Sequence, residues 1–197
     1  MKIKKKIILT DADGVLLNWE YAFNVWMDQH GFEELPDAKF NYDMGERYGI
    51  PKSQVAKLVR IFNESAAIGF LPAFRDAMYY VKRLHEEHGY EFHCITSLSL
   101  DANAYKLRKM NLDKLFGEGA FTKLICLDTG APKDEALSKY KDSEMWWLED
   151  KPENAEAGIA QGLKPVLFEH GHNMNYRNDL IPIVDSWKQF YKLVTKK

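Results

Sequence analysis

The fold is decided by the stretch Ile7-Ile8-Leu9-Thr10-Asp11-Ala12-Asp13-Gly14-Val15-Leu16. Its apolar residues are typical of a buried strand, and the glycine permits a sharp exit from that strand. Side chains alternate along a strand, so Asp11 and Asp13 point to the same side. Two carboxylates this close repel each other unless a divalent cation lies between them or one of them holds a proton. The stretch therefore predicts either a cation site at the end of a strand or a surface Asp-Gly turn.

Short apolar runs alternate with helical patterns along most of the chain. We predict strands at residues 5–10, 91–96, 123–127, 145–149 and 165–168. Helices are predicted at residues 74–88, 100–110, 134–140, 153–161 and 186–194. This alternation is typical of repeated β-α units. The sequence thus predicts an α/β protein with a Rossmann-like parallel sheet.

Residues 18–71 interrupt this alternation of strands and helices, and their sequence is typical of helices and loops only. Their apolar positions, Val55, Leu58, Val59 and Phe62, form one stripe at helical spacing. Ligands of open parallel sheets bind beyond the carboxyl ends of the strands, so an insertion after the first strand would cover the site. We predict an α/β core of residues 1–17 and 72–197 with a small helical cap of residues 18–71.

The composition excludes some classes of function and disfavours others. A formal net charge of -2 lacks the basic excess of a dedicated nucleic-acid-binding protein. No apolar run approaches the roughly 20 residues that cross a bilayer, so no membrane partner is expected. Cys94 and Cys126 lie in apolar runs without metal-type spacing, which predicts reduced thiols and a cytoplasmic location. The aromatic content is compatible with a homodimer, but the sequence does not fix the oligomeric state.

Three further motifs follow predicted strands or begin predicted helices. They are Thr96-Ser97, Lys133 at a loop-to-helix junction, and Glu149-Asp150. Taken singly, a hydroxyl residue at a helix start is more often a cap, and a lone lysine is usually a surface charge. Together with the aspartate pair they place four carboxylates, hydroxyls and a lysine at one sheet edge. Oxygen-only ligands favour Mg²⁺, and this set of groups suits phosphoryl transfer.

In their order and spacing, Asp11-Ala12-Asp13-Gly14-Val15-Leu16, Thr96-Ser97, Lys133 and Glu149-Asp150 resemble the four motifs of the haloacid dehalogenase superfamily of phosphohydrolases. More narrowly, the chain resembles the 5'(3')-deoxyribonucleotidases, or 5'-nucleotidases of the C type, from end to end. Two departures are that this branch usually has two aspartates at Glu149-Asp150 and that a proline commonly stands at the position of Leu98.

The resemblance implies a role for each motif residue. Asp11 would be the nucleophile that forms an aspartyl-phosphate, and Asp13 the general acid and base. Thr96, Ser97 and Lys133 would hold the phosphate. The resemblance also implies Mg²⁺ bound by an Asp11 oxygen, the Asp13 backbone carbonyl and Asp150, with Glu149 supporting through water. It further favours Trp19 and Phe70 as lining a substrate pocket, although aromatic residues at helical spacing mostly pack in a core.

The leading hypothesis is a Mg²⁺-dependent phosphatase of nucleoside monophosphates, in particular deoxyribonucleotides. A first alternative keeps the chemistry and takes another small phosphometabolite as substrate. A second is a phospho-accepting signalling domain of the receiver type. Chain order disfavours that domain, because receivers place the phosphorylated aspartate on a middle strand and carry no insertion after the first strand. His170 and His172 lack a third ligand and are interpreted as structural or solvated.

Overall fold

The computed structural model describes residues 6–195. Within that range the strands are β1 Lys6–Thr10, β2 Tyr90–Thr96, β3 Phe121–Cys126, β4 Trp146–Glu149, β5 Lys164–Phe168 and β6 Ile183–Val184. They form one sheet in the order β3-β2-β1-β4-β5-β6, and every pair is parallel. The predicted α/β class is confirmed. Residues 1–5 and 196–197 of the predicted core lie outside the described range.

Helices connect the strands as β-α units require. The helices are α1 Trp19–Gln29, α2 Met44–Tyr48, α3 Lys52–Glu64, α4 Ala77–Glu86, α5 Ala102–Phe116, α6 Asp134–Ser138, α7 Pro152–Ala160 and α8 Trp187–Thr195. Short 3-10 helices lie at Ala38–Phe40, Ala66–Phe70 and Gly171–Asn173. α5 begins where the Asp101 side chain caps the backbone N–H groups of Asn103 and Ala104. No helix within residues 6–195 is both long and apolar enough to cross a membrane.

The register of the sheet gathers the ends of three strands at one place. β1 lies between β2 and β4, and Thr10 is opposite Cys94 on one side and Leu148 on the other. The sheet is covered on both faces, since Ile8 belongs to one apolar cluster and Leu9 to another. The residues that follow β1, β2 and β4 therefore meet at a single carboxyl edge.

Residues 18–71 leave this edge as helices α1 to α3 with two of the 3-10 helices and share their core with the sheet. Phe23 and Phe62 are fully buried with ring centroids 5.3 Å apart, and both belong to the larger apolar cluster. Asn63 links this segment to the core, because its Nδ2 donates to the Leu98 carbonyl at 2.9 Å. Its Oδ1 accepts from Trp19 Nε1 at 2.9 Å. We refer to residues 18–71 as the cap.

Candidate active site

The chain turns sharply where β1 ends. The Asp11 backbone N–H still donates to Leu148 of β4, and the N–H groups of Leu16 and Leu17 then return to the Ala12 carbonyl. Gly14 makes this turn with a φ of +76°, which favours glycine. A Cβ at Gly14 would clash with Asp150 Oδ2 and lie 2.8 Å from Asp150 Cγ. The glycine thus lets the first and last acidic motifs approach closely.

Lys133 joins the nucleophile candidate to the last motif. Its Nζ lies 2.6 Å from Asp11 Oδ2 and 2.6 Å from Glu149 Oε1. The other Asp11 oxygen accepts from the Ala12 backbone N–H at 2.6 Å. Lys133 and Glu149 are buried, and Asp11 is nearly so. Lys133, for which a surface charge was the general alternative, is therefore a buried cation between two carboxylates at the predicted site.

Both carboxylate oxygens of Glu149 accept hydrogen bonds from several donors. Its Oε2 accepts from the backbone N–H groups of Asp150 and Lys151 at 2.7 and 2.8 Å. Its Oε1 accepts from Asn154 Nδ2 at 2.7 Å as well as from Lys133. Because each oxygen already has two donors, Glu149 is suited to orient Lys133 and the start of α7 rather than to bind a ligand directly.

Asp13 has a partner that the sequence reasoning missed. Arg108 of α5 is 0% exposed, and its Nη1 and Nη2 donate to Asp13 Oδ1 and Oδ2 at 2.7 and 3.2 Å. Its Nε has no hydrogen-bond partner. A signal was present: Arg108 lies on the same buried face of α5 as Ala104 and Leu112, four residues to either side. An arginine in an apolar stripe requires a buried acidic partner.

Thr96 and Ser97 lie at the end of β2, as predicted. Thr96 is buried, and its Oγ1 is 3.5 Å from Asp13 Oδ2. The Ser97 hydroxyl donates to the Ala131 carbonyl at 2.8 Å, which ties the end of β2 to the loop that carries Lys133. Both residues line one cavity together with Asp11 and Lys133.

The buried carboxyl groups of this edge have shifted pKa values. Burial, followed by Glu149 and Asp13, raises the pKa of Asp11 to about 7, although Lys133 opposes the rise. Burial with the charges of Glu149 and Asp11 also raises the pKa of Asp150 well above its usual value. Burial would raise the pKa of Glu149 as well, but Lys133 and hydrogen bonds bring it below its usual value.

The donor set fits a divalent cation. One oxygen each of Asp11, Glu149 and Asp150 lie within 4.8 Å of one another. Asp11 and Asp150 are the direct donors of this set, because each Glu149 oxygen already accepts two hydrogen bonds. Together with Asp13, these carboxylates exceed the two buried cations Lys133 and Arg108 by two negative charges. One Mg²⁺ would balance this excess, and its preferred ligands are oxygens. The raised pKa values show the alternative, which is that protons relieve the same repulsion.

The cavity beside these residues has a volume of about 620 Å³ and is lined by both the core and the cap. Trp19 lines it, stacked on Phe23 at 4.6 Å. Phe70 does not line it, so the structure does not place this residue where the sequence predicted. The 3-10 helix that ends at Phe70 buries Ile68 and Gly69 and leaves Phe70 65% exposed.

The loop after β5 also reaches the cavity. Burial lowers the pKa of His170 to about 4, and its Nε2 donates to the Gly14 carbonyl at 2.7 Å. Asn173 Nδ2 donates to the Asp150 carbonyl at 2.7 Å, and His172 Nε2 lies 3.2 Å from the same oxygen. These residues brace the loops that carry the acidic motifs, so the interpretation of the histidines as structural agrees with their contacts.

Solved structures with this architecture span nearly the whole chain. A haloacid dehalogenase-like hydrolase from Streptococcus pneumoniae matches with a TM-score of 0.66 and 16% identity, covering 97% of this chain and 99% of its own. The HAD-hydrolase YfnB from Bacillus subtilis, bound to magnesium, matches with a TM-score of 0.63 and 13% identity over 98% and 100% of the two chains. CbbY from Rhodobacter sphaeroides, in complex with phosphate, matches with a TM-score of 0.61 and 16% identity, covering 95% of this chain and 96% of its own.

The chain has the haloacid dehalogenase fold. In sequence, it is 29% identical over 144 residues to an uncharacterised protein of Enterobacteria phage T4. That alignment covers 70% of this chain and 50% of the phage protein, so the chain spans about half the length of this relative. A comparison with models of known protein families finds no match. The narrower resemblance to deoxyribonucleotidases stays a prediction.

Proposed function

We propose that this protein is a Mg²⁺-dependent phosphatase that hydrolyses small phosphate monoesters through an aspartyl-phosphate at Asp11. The observation that carries the proposal is the convergence of Asp11, Asp13, Lys133 and Asp150 on one cavity, with an excess of two negative charges. A buried site of this charge, with a lysine and hydroxyls beside it, is suited to a phosphoryl group held together with a divalent cation.

Each motif residue has a role in this proposal. Asp11, Asp150 and the Asp13 backbone carbonyl would hold Mg²⁺. Glu149 would act through its bond to Lys133 rather than through water, as the resemblance implied, because each of its oxygens already accepts two hydrogen bonds. When bound, the cation would withdraw charge from the phosphate oxygens. Lys133 would also bind a phosphate oxygen, and the hydroxyls of Thr96 and Ser97 would donate to the phosphate. On binding, the two hydroxyls would exchange their present hydrogen bonds for hydrogen bonds to the phosphate.

The reaction itself needs one nucleophile and one proton donor. Starting with Asp13 protonated, an Asp11 oxygen attacks phosphorus, the ester P–O bond breaks, and Asp13 gives its proton to the leaving oxygen. In that starting state the carboxylates exceed the buried cations by one charge rather than two. In the second half, Asp13 takes a proton from water, the water oxygen attacks phosphorus, and the Asp11 carboxylate is released with orthophosphate. Asp13 Oδ2 is the oxygen that we assign to this transfer, because its bond to Arg108 is the longer one and it faces Thr96.

A nucleoside monophosphate is the substrate that we favour. A cavity of about 620 Å³ lies within the usual range for small-molecule sites, roughly 300–1,000 Å³. Trp19 and Phe74 line it and offer aromatic surface to a base. The alternative is another phosphometabolite such as a sugar phosphate, since one neighbour of this fold, CbbY, is described in complex with xylulose-1,5-bisphosphate.

Phosphate release from a panel of nucleotides and sugar phosphates, with Mg²⁺ and with a chelator, tests the proposal. We expect Mg²⁺-dependent turnover and no turnover in Asp11→Asn. Asp28→Asn is a matched control, because Asp28 is an exposed residue of α1. Wild-type turnover in Asp11→Asn would remove the nucleophile assignment. A stable phosphoprotein without turnover would instead favour the signalling alternative.

A further inference from the structure

Arg47 of α2 lines the same cavity as the acidic motifs, on the wall that the cap contributes. Its side chain is only 2% exposed. Within residues 6–195, the charged side chains that the cap contributes to this wall are Glu20, Asp43 and Arg47. Arg47 is thus the cation that a substrate would meet on the cap side.

The charge of Arg47 is already balanced. Arg47 Nη2 lies 2.6 Å from Glu20 Oε1 and 2.9 Å from Glu34 Oε1. Arg47 Nε also donates to Glu34 Oε1 at 3.1 Å. Two carboxylates therefore share one guanidinium, and this group of three, the cap triad, carries a net negative charge. The remaining charge of the cap wall, Asp43, is paired with Lys52 at 2.8 Å.

We propose that the cap triad restricts the protein to phosphate monoesters whose distal part carries no negative charge. The inference rests on the proposed phosphatase function, because it assumes that the phosphoryl group lies at Lys133. A second phosphate or a carboxylate at the cap wall would meet Glu20 and a guanidinium without spare charge, and like charges brought together disfavour binding. Hydroxyl and carbonyl groups meet no such repulsion.

This assignment defines a chemical class of substrate. Nucleoside monophosphates and neutral sugar monophosphates fall inside it, whereas bisphosphates and phosphorylated carboxylic acids fall outside. The opposing possibility is that Lys151 binds a second anionic group of the substrate. It lines the cavity from the core side at the start of α7, with its Nζ 5.1 Å from the centre of the Tyr42 ring. A preference for bisphosphates would make Lys151 an anion subsite and overturn the inference.

Matched substrate pairs test the inference. Phosphate release with Mg²⁺ is measured for thymidine 5'-monophosphate against thymidine 3',5'-bisphosphate, and for fructose 6-phosphate against fructose 1,6-bisphosphate. We expect the kcat/KM of the monophosphate to exceed that of its bisphosphate by about tenfold or more in each pair that is turned over. Calorimetric binding of the same compounds to Asp11→Asn with Mg²⁺ gives a second readout that needs no turnover.

Glu20→Gln tests the triad itself. The substitution keeps the shape and removes one negative charge, so the preference for monophosphates should fall by about tenfold. The comparison of two substrates on one preparation cancels any loss of folded protein. Glu33→Gln is the control, since Glu33 is an exposed acid of the same cap and does not line the cavity. It should leave the ratio unchanged.

The outcomes separate this inference from the proposed function. Turnover with equal or better use of bisphosphates, or a Glu20→Gln ratio equal to that of the wild type, overturns the inference and leaves the phosphatase standing. Absence of turnover with a preserved binding preference in Asp11→Asn removes the phosphatase and supports the selectivity. Absence of binding for every compound overturns both.

Discussion

Replacement of the buried Lys133 by methionine tests the charge arrangement at the sheet edge. Methionine has a similar length but no charge, so Asp11 and Glu149 each lose an ion pair of 2.6 Å. Removing one partner of a buried pair costs about 3–5 kcal/mol. Two features lower this cost: Asp11 can take up a proton, and Glu149 keeps three other hydrogen bonds. We therefore expect a loss of about 3 kcal/mol in the free energy of unfolding.

Urea unfolding at pH 7 with a chelator measures this loss. Lys139→Met, at an exposed position just after α6, is the control and should stay within about 0.5 kcal/mol of the wild type. In a double-mutant cycle with Glu149→Gln, the two substitutions should couple by about 1–3 kcal/mol, because each removes the partner of the other. A loss below about 1 kcal/mol for Lys133→Met, or strictly additive effects, would contradict the arrangement.

Three further predictions concern the same edge. Because folding raises the pKa of Asp11 to about 7 from an ordinary value of 3.8, this carboxyl holds a proton in the folded state that it loses on unfolding. The stability of the metal-free wild type relative to Asp11→Asn should therefore fall as the pH rises from about 4 to about 7, and the comparison cancels the opposite contribution of His170, whose pKa folding lowers to about 4. The increase in Tm on adding Mg²⁺ should be larger at pH 8 than at pH 5. Gly14→Ala should abolish phosphatase activity and lower Tm, since its Cβ would clash with Asp150. Gly31→Ala is the control and should lower Tm only modestly, because Gly31 also has a positive φ, +81°, but has open space around it. Arg108→Met should lower kcat more for alkyl phosphates than for p-nitrophenyl phosphate, because a misplaced general acid matters most for poor leaving groups. Arg108→Lys should recover part of the kcat lost for alkyl phosphates.

Local patterns predicted most of the sheet. The strands β1 to β5 are apolar runs bounded by polar or glycine residues, and the predicted bounds lie within two residues of the observed ones wherever the structure describes them. The two-residue strand Ile183–Val184 is too short to leave a pattern of its own and forms only by pairing with β5. α5 continues to Phe116, beyond the predicted end at Met110, because Leu112 and Phe116 extend its buried face.

The candidate site was predictable where it is local in sequence. Asp11, Thr96 and Glu149 sit in or directly after strands, so the parallel register alone brings them to one edge. Arg108 and Arg47 are different, because each is placed by tertiary packing against a partner far away in the sequence. Phe70 shows the same limit, since the direction of its side chain depends on how the adjacent Gly69 packs against Leu107 and Met110 of α5.

The sheet edge and the cap wall both carry an excess of negative charge, but only the sheet edge has a donor set for a divalent cation. In the proposed function, this difference gives a bound substrate its direction. At the sheet edge, strands supply acids in pairs, while the compensating cations come from a distant loop and helix and still fall short by two charges. That end gains from a divalent cation and the anionic group that accompanies it. At the cap, Arg47 is outnumbered by Glu20 and Glu34, so the same anionic group would be repelled there. Under the proposed function, a monoester with one charged and one neutral end would therefore have a single favourable orientation, with phosphorus next to Asp11.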